Sequence, residues 1–283
     1  MEQVPVLGAA PGTWTWKFSE EGKYTTKSLI DLIATFHDLG CCTPTLCVDS
    51  VVINSAGWFE LVEAKSQFTA LTPGGVRMDY KNAVRLLEEL LAASMGKQMI
   101  DCIPTDIGIL FRFMRKDGYL YRYLIGNHVS LLPLRNRSAV FMEFFDCIDL
   151  YIRYVKPNWK DQARYYIPYQ KIWVAIAVNN SFLVEWLQYQ HCIEGKTIKG
   201  NWYELLRTVR NVICYKLVLL KKGEVYKETE VEHMLQALFP RLLPNIQEFL
   251  WTKRCLRNFN LETYFMHKKT TEDGTKTRHP RGS

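Results

Sequence analysis

The chain has 283 residues, 48% of them hydrophobic and 23% charged, which is the composition of an ordinary globular protein. Its longest uninterrupted apolar run, the seven residues Ile172–Val178, is far short of the roughly 20 that a membrane-spanning helix needs. The net charge of +7 is uneven: residues 151–283 carry 22 lysines and arginines against 12 acids, and residues 1–150 carry 14 against 17. The basic half suits a polyanionic partner and the acidic half could hold a metal ion.

The N-terminal stretch MEQVPVLGAAPGTW has no basic region and no long apolar region, so no signal peptide is expected. The eight cysteines are then expected to be reduced thiols of a cytoplasmic or nuclear protein. A turn-rich segment runs to Glu21-Gly22. Thr25–Leu39 follows as a predicted helix, with Leu29, Ile30, Leu32, Ile33 and Phe36 at helical spacing, Thr26 or Ser28 as cap and Gly40 as stop. Leu46–Ile53 and Trp58–Lys65 are predicted strands, joined by the turn Asn54-Ser-Ala-Gly57 into a hairpin. Tyr80–Met95 is a predicted helix closed by Gly96. Residues 107–125 are expected to form strand, turn and strand around Lys116-Asp-Gly118. Ser138–Tyr154 is a predicted helix ended by Pro157, and a soft boundary falls near Val155–Gln162.

The second half opens on the apolar run Ile172–Val178. Trp202–Val212 is a predicted helix bearing Arg207 and Arg210, followed by a hairpin over Tyr215–Lys227 whose turn holds Lys221 and Lys222. A helix followed by such a hairpin leaves a winged-helix arrangement open. Val231–Phe239 is a short predicted helix stopped by Pro240, and Ile246–Phe259 is another, carrying Lys253, Arg254 and Arg257. These seven cations are the candidates for nucleic-acid contact. The expected organisation is an α/β unit over 1–155, a basic and mostly helical unit over 160–266, and a disordered polar tail over 267–283.

The chemistry centres on Asp49 and on Glu63-Ala-Lys65. Side chains two apart on a strand share a face, so Glu63 and Lys65 are expected to point the same way. Asp49 lies on the hairpin partner, fourteen residues earlier. Two carboxylates and the carbonyl of Ala64 can hold Mg²⁺, or Mn²⁺ in its place, because such ions prefer oxygen ligands. The ion lowers the pKa of a bound water, and a neighbouring lysine steadies charge on a phosphate. That set is chemistry for phosphodiester hydrolysis.

Thr43-Pro-Thr-Leu-Cys-Val-Asp49 followed by Phe59-Glu-Leu-Val-Glu-Ala-Lys65 resembles the core of the PD-(D/E)xK nuclease superfamily. Within it, the wording is similar to the endonuclease subunit of heteromeric cut-and-paste transposases, the TnsA-like proteins, and Ile107-Gly-Ile-Leu-Phe-Arg-Phe113 is a weaker echo of a later segment of theirs. The resemblance covers residues 41–67 well, 103–135 loosely and 160–283 hardly at all. It implies a restriction-endonuclease-like mixed sheet flanked by helices, cleavage of DNA at transposon ends and a transposase partner. It also implies an acid on an upstream helix, for which Glu20, Glu21 and Asp31 are the candidates. The sequence departs from the family where Thr45 stands in the usual aspartate's place. The rivals are a restriction-type or viral nuclease acting alone, and a nucleic-acid-binding or assembly protein built on a degenerate nuclease fold.

Other constellations are weaker. His37, Cys41, Cys42 and Cys47 invite zinc, but adjacent cysteines suit that ion poorly. Cys102, Cys147, Cys192, Cys214 and Cys255 are expected in the core. No GxxxxGK[ST] loop is present, so ATP is not implied.

Overall fold

The segment read as turn-rich folds into a hairpin, β1 (Glu2–Pro5) with β2 (Trp14–Lys17), antiparallel and in register from Glu2 opposite Lys17 to Pro5 opposite Trp14. The structure is a computed structural model, and it describes residues 1–43, 46–62, 68–95, 103–194, 198–215 and 227–265. Helix α1 (Glu20–Asp38) starts earlier than its apolar pattern suggests, because Ser19 is its cap. The Ser19 hydroxyl accepts the Gly22 N–H at 3.1 Å, and Glu20 and Glu21 face the positive end of the helix dipole. Gly40, at φ +80, ends it. Leu29, Ile30 and Ile33 form the buried face of α1.

Two short ladders follow: β3 (Cys41–Cys42) with β6 (Thr69–Ala70), and β4 (Val51–Ile53) with β5 (Phe59–Leu61). Among the described residues every ladder has two antiparallel strands, so these residues do not assemble the expected mixed sheet. Helix α2 (Pro73–Met95) begins about two turns earlier than expected and buries Val76, Tyr80, Ala83, Val84 and Leu87 at helical spacing.

Residues 107–125 do not form strand, turn and strand. They lie in helices α3 (Thr105–Asp117) and α4 (Arg122–Gly126), joined by a turn over 118–121 next to the one expected at Lys116-Asp-Gly118. Ile107, Leu110, Phe111 and Met114 recur at 3, 4 and 7 residues and are all buried. Asp106 in the first turn and Arg115 and Lys116 in the last complement the helix dipole, which outweighs the β propensity of the aromatic and branched residues. The likeness of Ile107–Phe113 to the later segment of the transposase subunits therefore falls on a helix.

Helix α5 (Leu134–Leu150) runs through the middle of the core and ends in a wider, π-type turn over Tyr151–Val155. Around it lie α6 (Trp159–Ala163), α7 (Trp173–Val178), α8 (Ser181–Glu194), α9 (Trp202–Tyr215), α10 (Glu228–Leu238) and α11 (Leu242–Thr252). The apolar run at 172–178 is thus the short helix α7, with Trp173 fully buried. Buried side chains from Phe18 to Leu261 belong to one cluster, so the hydrophobic core runs unbroken past the boundary expected near residue 155. The first hairpin is tied to the second half as well: Ser181 donates its N–H to the carbonyl of Gly8 at 2.7 Å, and Asn180 donates to Leu7 at 2.6 Å. Helices with small antiparallel sheets make this a mixed α/β chain, predominantly helical. No described helix is long and apolar enough to cross a membrane.

Candidate functional site

The β4–β5 hairpin is built as its sequence suggests. Asn54 Oδ1 accepts the N–H groups of Ala56 and Trp58 at 2.9 and 3.0 Å, which folds the turn, and Gly57 takes φ +80. The register pairs Val51 with Leu61, Val52 with Glu60 and Ile53 with Phe59. One further bond closes the ladder, from the Val62 N–H to the Ser50 carbonyl at 2.9 Å. Phe59 is buried against α1, whose Ser28 hydroxyl accepts the Phe59 N–H at 3.3 Å. Glu60 points outward and binds Asn54.

Asp49 is not on the strand. Ser50 Oγ accepts the Cys47 N–H and donates to the Cys47 carbonyl, both at 2.8 Å, and this local pairing winds Val48–Ser50 into a 3₁₀ turn. The expectation that Asp49 shares a pleated face with Glu63 and Lys65 therefore loses its geometric basis. Asp49 is instead exposed at the open end of the hairpin, with no hydrogen-bond or ion-pair partner among the described residues. Glu63, Ala64 and Lys65 lie outside the described residues.

The three candidate upstream acids are placed elsewhere. Glu20 accepts from Lys23 Nζ at 2.7 Å and from the Leu134 N–H at 3.3 Å. Glu21 lines a shallow cavity beside the hairpin tip at Gly57, and Asp31 pairs with Lys27. None of them touches Asp49. The described residues thus supply one carboxylate of the expected metal set.

The predicted cations divide sharply. On α9, Arg207 pairs with Glu204 at 3.2 Å and Arg210 bonds Asn211 at 3.1 Å, and both are half-buried. Lys221 and Lys222, with the expected wing, lie outside the described residues. Lys253 is engaged by Gln162 and sits over the Phe249 ring. Arg254 and Arg257 are exposed and have no carboxylate partner among the described residues.

A second cluster joins α1, β3 and α2. His37, Cys42 and Asp79 are all buried, with one potential ligand atom from each lying within 4.8 Å of the others. The expectation of zinc was attached to His37 with Cys41, Cys42 and Cys47, but Cys41 and Cys47 do not join the group, and Asp79, 37 residues after Cys42, does. Asp79 accepts the Thr43 N–H with both oxygens at 3.0 Å and meets His37 Nε2 at 2.8 Å. Burial raises the Cys42 thiol above its ordinary pKa, and Asp79 adds to the shift. A thiol held protonated and a carboxylate filled by hydrogen bonds make a structural knot: it ties the end of α1 to the start of α2. Gly75 is part of it, since a Cβ there would lie 2.7 Å from Cys42 Sγ.

A cavity of about 250 Å³ lies where β2, the start of α3 and α10 meet. Its charged and imidazole groups pair with one another or with neighbouring side chains. Lys17 Nζ meets His233 Nε2 at 3.1 Å, and Asp106 accepts from Gln236 at 2.7 Å and from Arg137 at 3.3 Å. Burial, with Lys17 and Lys23 close by, pushes His233 down to about 4, so its ring is neutral at pH 7.

Of the other lone cysteines, Cys255 is buried as expected, whereas Cys147 is half-buried and Cys214 is exposed; Cys102 lies outside the described residues, as does the side chain of Cys192. No family model matches the chain, and no curated protein matches it significantly.

Proposed function

We propose that the chain is a Mg²⁺-dependent DNA endonuclease of the PD-(D/E)xK kind, with Asp49, Glu63 and the Ala64 carbonyl as metal ligands and Lys65 as the positioned cation. The observation that supports this most is the closing bond of the β4–β5 hairpin. Val62, the residue before Glu63, donates to the carbonyl of Ser50, the residue after Asp49. Asp49, an exposed carboxylate with no partner among the described residues, and Val62, the last described residue before Glu63, thus stand at the same end of one ladder.

The donor set is hard oxygen throughout, which fits Mg²⁺ or Mn²⁺. When bound, the ion supplies Lewis-acid stabilisation and a water of lowered pKa. Asp49 and Glu63 would hold it, and Lys65 would supply a positive charge to the phosphate, an interaction that would be stronger in the transition state than before it. Within that function, a restriction-endonuclease-like N-terminal part, cleavage at transposon ends and a transposase partner follow from the resemblance carried by Thr43–Lys65.

The test is nicking of supercoiled plasmid by the full chain. Wild type should cut with Mg²⁺ or Mn²⁺ and not with EDTA. Lys65→Ala should lower single-turnover cutting by about a hundredfold, comparable to losing one transition-state donor, with DNA affinity little changed. Cutting that persists in EDTA, or a Lys65→Ala protein that cuts normally, would refute the assignment.

A further inference from the structure

The end of α11 carries an unusual backbone. Its last turn closes with the Arg254 N–H on the Trp251 carbonyl at 2.9 Å and the Cys255 N–H on the Leu250 carbonyl at 3.0 Å. That is the paired closure in which the residue after the cap turns left-handed, a place usually given to glycine. Here it is Arg254, at φ +59, one of two non-glycine residues with positive φ among the described residues. A side chain in this conformation is strained, and such strain concentrates at binding sites.

The strained turn lies beside a stacked aromatic pair. Tyr123 and Trp251 stack with ring centroids 5.9 Å apart and planes 13° from parallel. The Arg257 guanidinium lies 5.5 Å from the Tyr123 centroid and 5.8 Å from that of Trp251. Trp251, Arg254 and Arg257 line a cavity of about 380 Å³, and Trp251 and Arg257 also line a groove of about 770 Å³ that runs along α1. The groove's acids Asp31 and Asp38 are paired with Lys27 and Arg122, while Glu262 stands near Tyr123. Arg254 and Arg257 are left with no carboxylate partner among the described residues.

We propose that this cleft binds single-stranded DNA: Arg254 takes a backbone phosphate, and an unpaired base packs against Trp251 and the Arg257 guanidinium that already lies over the Trp251 and Tyr123 rings. It rests on the proposed action on DNA, and it is independent of the metal site. Every base offers a π-face, so stacking with backbone charge recognises unpaired strand without reading its sequence. The Arg254 contact gives salt dependence, since each neutralised phosphate releases counterion.

The test is fluorescence anisotropy of labelled dT12 with the full chain in EDTA, where no metal-dependent cutting occurs. Wild type should bind dT12 at least tenfold more tightly than a 12-base-pair duplex or a poly-Glu decamer. Arg254→Gly removes the charge and relieves the backbone, so it should lower dT12 affinity several-fold and flatten the salt slope while leaving the melting temperature equal or higher. Trp251→Phe should also weaken binding. Equal affinity for duplex or poly-Glu, or an Arg254→Gly protein that binds dT12 as wild type does, would overturn the proposal. A protein that binds dT12 as expected but never nicks plasmid would sink the nuclease assignment alone.

Discussion

Replacing Asp79 with alanine should unravel the junction of α1, β3 and α2. The carboxylate is fully buried, accepts one N–H through both oxygens and holds the His37 ring. His37 Nδ1 has no hydrogen-bond partner among the described residues, so losing the contact at Nε2 leaves the imidazole in the core without one there. Two buried groups, the Thr43 N–H and the His37 ring, would lose their partner at roughly 1–3 kcal/mol each. Together with the small cavity left behind, Asp79→Ala should cost about 3–5 kcal/mol. For a chain of this size 1 kcal/mol moves the melting temperature by about 2–4 °C, so melting should fall by about 10 °C. Asp79→Asn, whose amide can still accept from Thr43 and donate to His37, should cost roughly half as much. Urea denaturation with an unchanged m-value is the assay, run with and without a zinc chelator. A loss below about 1 kcal/mol for Asp79→Ala would refute the knot as described. So would a chelator that lowers wild-type stability as far as the substitution does, for then a bound ion would be holding these residues together.

Three further outcomes follow from the packing. His128 is fully buried and pushed down to about 3 by its burial. Its folded pKa is below the unfolded value near 6.5, so neutral His128 contributes stability at pH 7 that is lost as pH falls through 6.5 toward 3. Wild type should lose about 2–3 kcal/mol from this group between pH 7 and 4.5, and His128→Gln should show a correspondingly shallower loss in urea midpoints; parallel slopes would count against it. Gly75→Ala should destabilise by about 1–3 kcal/mol, because its Cβ would crowd Cys42 Sγ, and Cys42→Ala in the same chain should recover much of that. Asp49→Asn should leave the melting temperature within about 1 °C, since Asp49 is exposed and unpartnered among the described residues, while a larger fall would give it a structural role.

Where one periodicity dominated, the sequence was a good guide. Leu29, Ile30 and Ile33 mark α1, and the turn Asn54–Gly57 sets the β4–β5 register, because helical spacing and turn chemistry are local. Boundaries failed where a side chain intervened. Ser19 extends α1 by five residues beyond Thr25 toward the N-terminus, and Ser50 winds Asp49 off its strand. The residues of Ile107–Phe113 favour both states, and the spacing of Ile107, Leu110, Phe111 and Met114 is the signal that decides for helix. The role of Asp79 is not legible in the sequence, because its partners His37 and Thr43 are 42 and 36 residues away and only folding joins them. The left-handed turn at Arg254 is invisible to composition, and the apolar spacing of Ile246–Phe259 runs straight through it, whereas α11 ends at Thr252.

The most direct test of the central claim is anomalous diffraction from crystals of the full chain soaked in Mn²⁺. The account predicts a peak at coordinating distance from the carboxylates of Asp49 and Glu63, beside the Ala64 carbonyl and within reach of Lys65. A peak at His37, Cys42 and Asp79 instead, or density showing Asp49 and Glu63 turned apart with no ion between them, would contradict it.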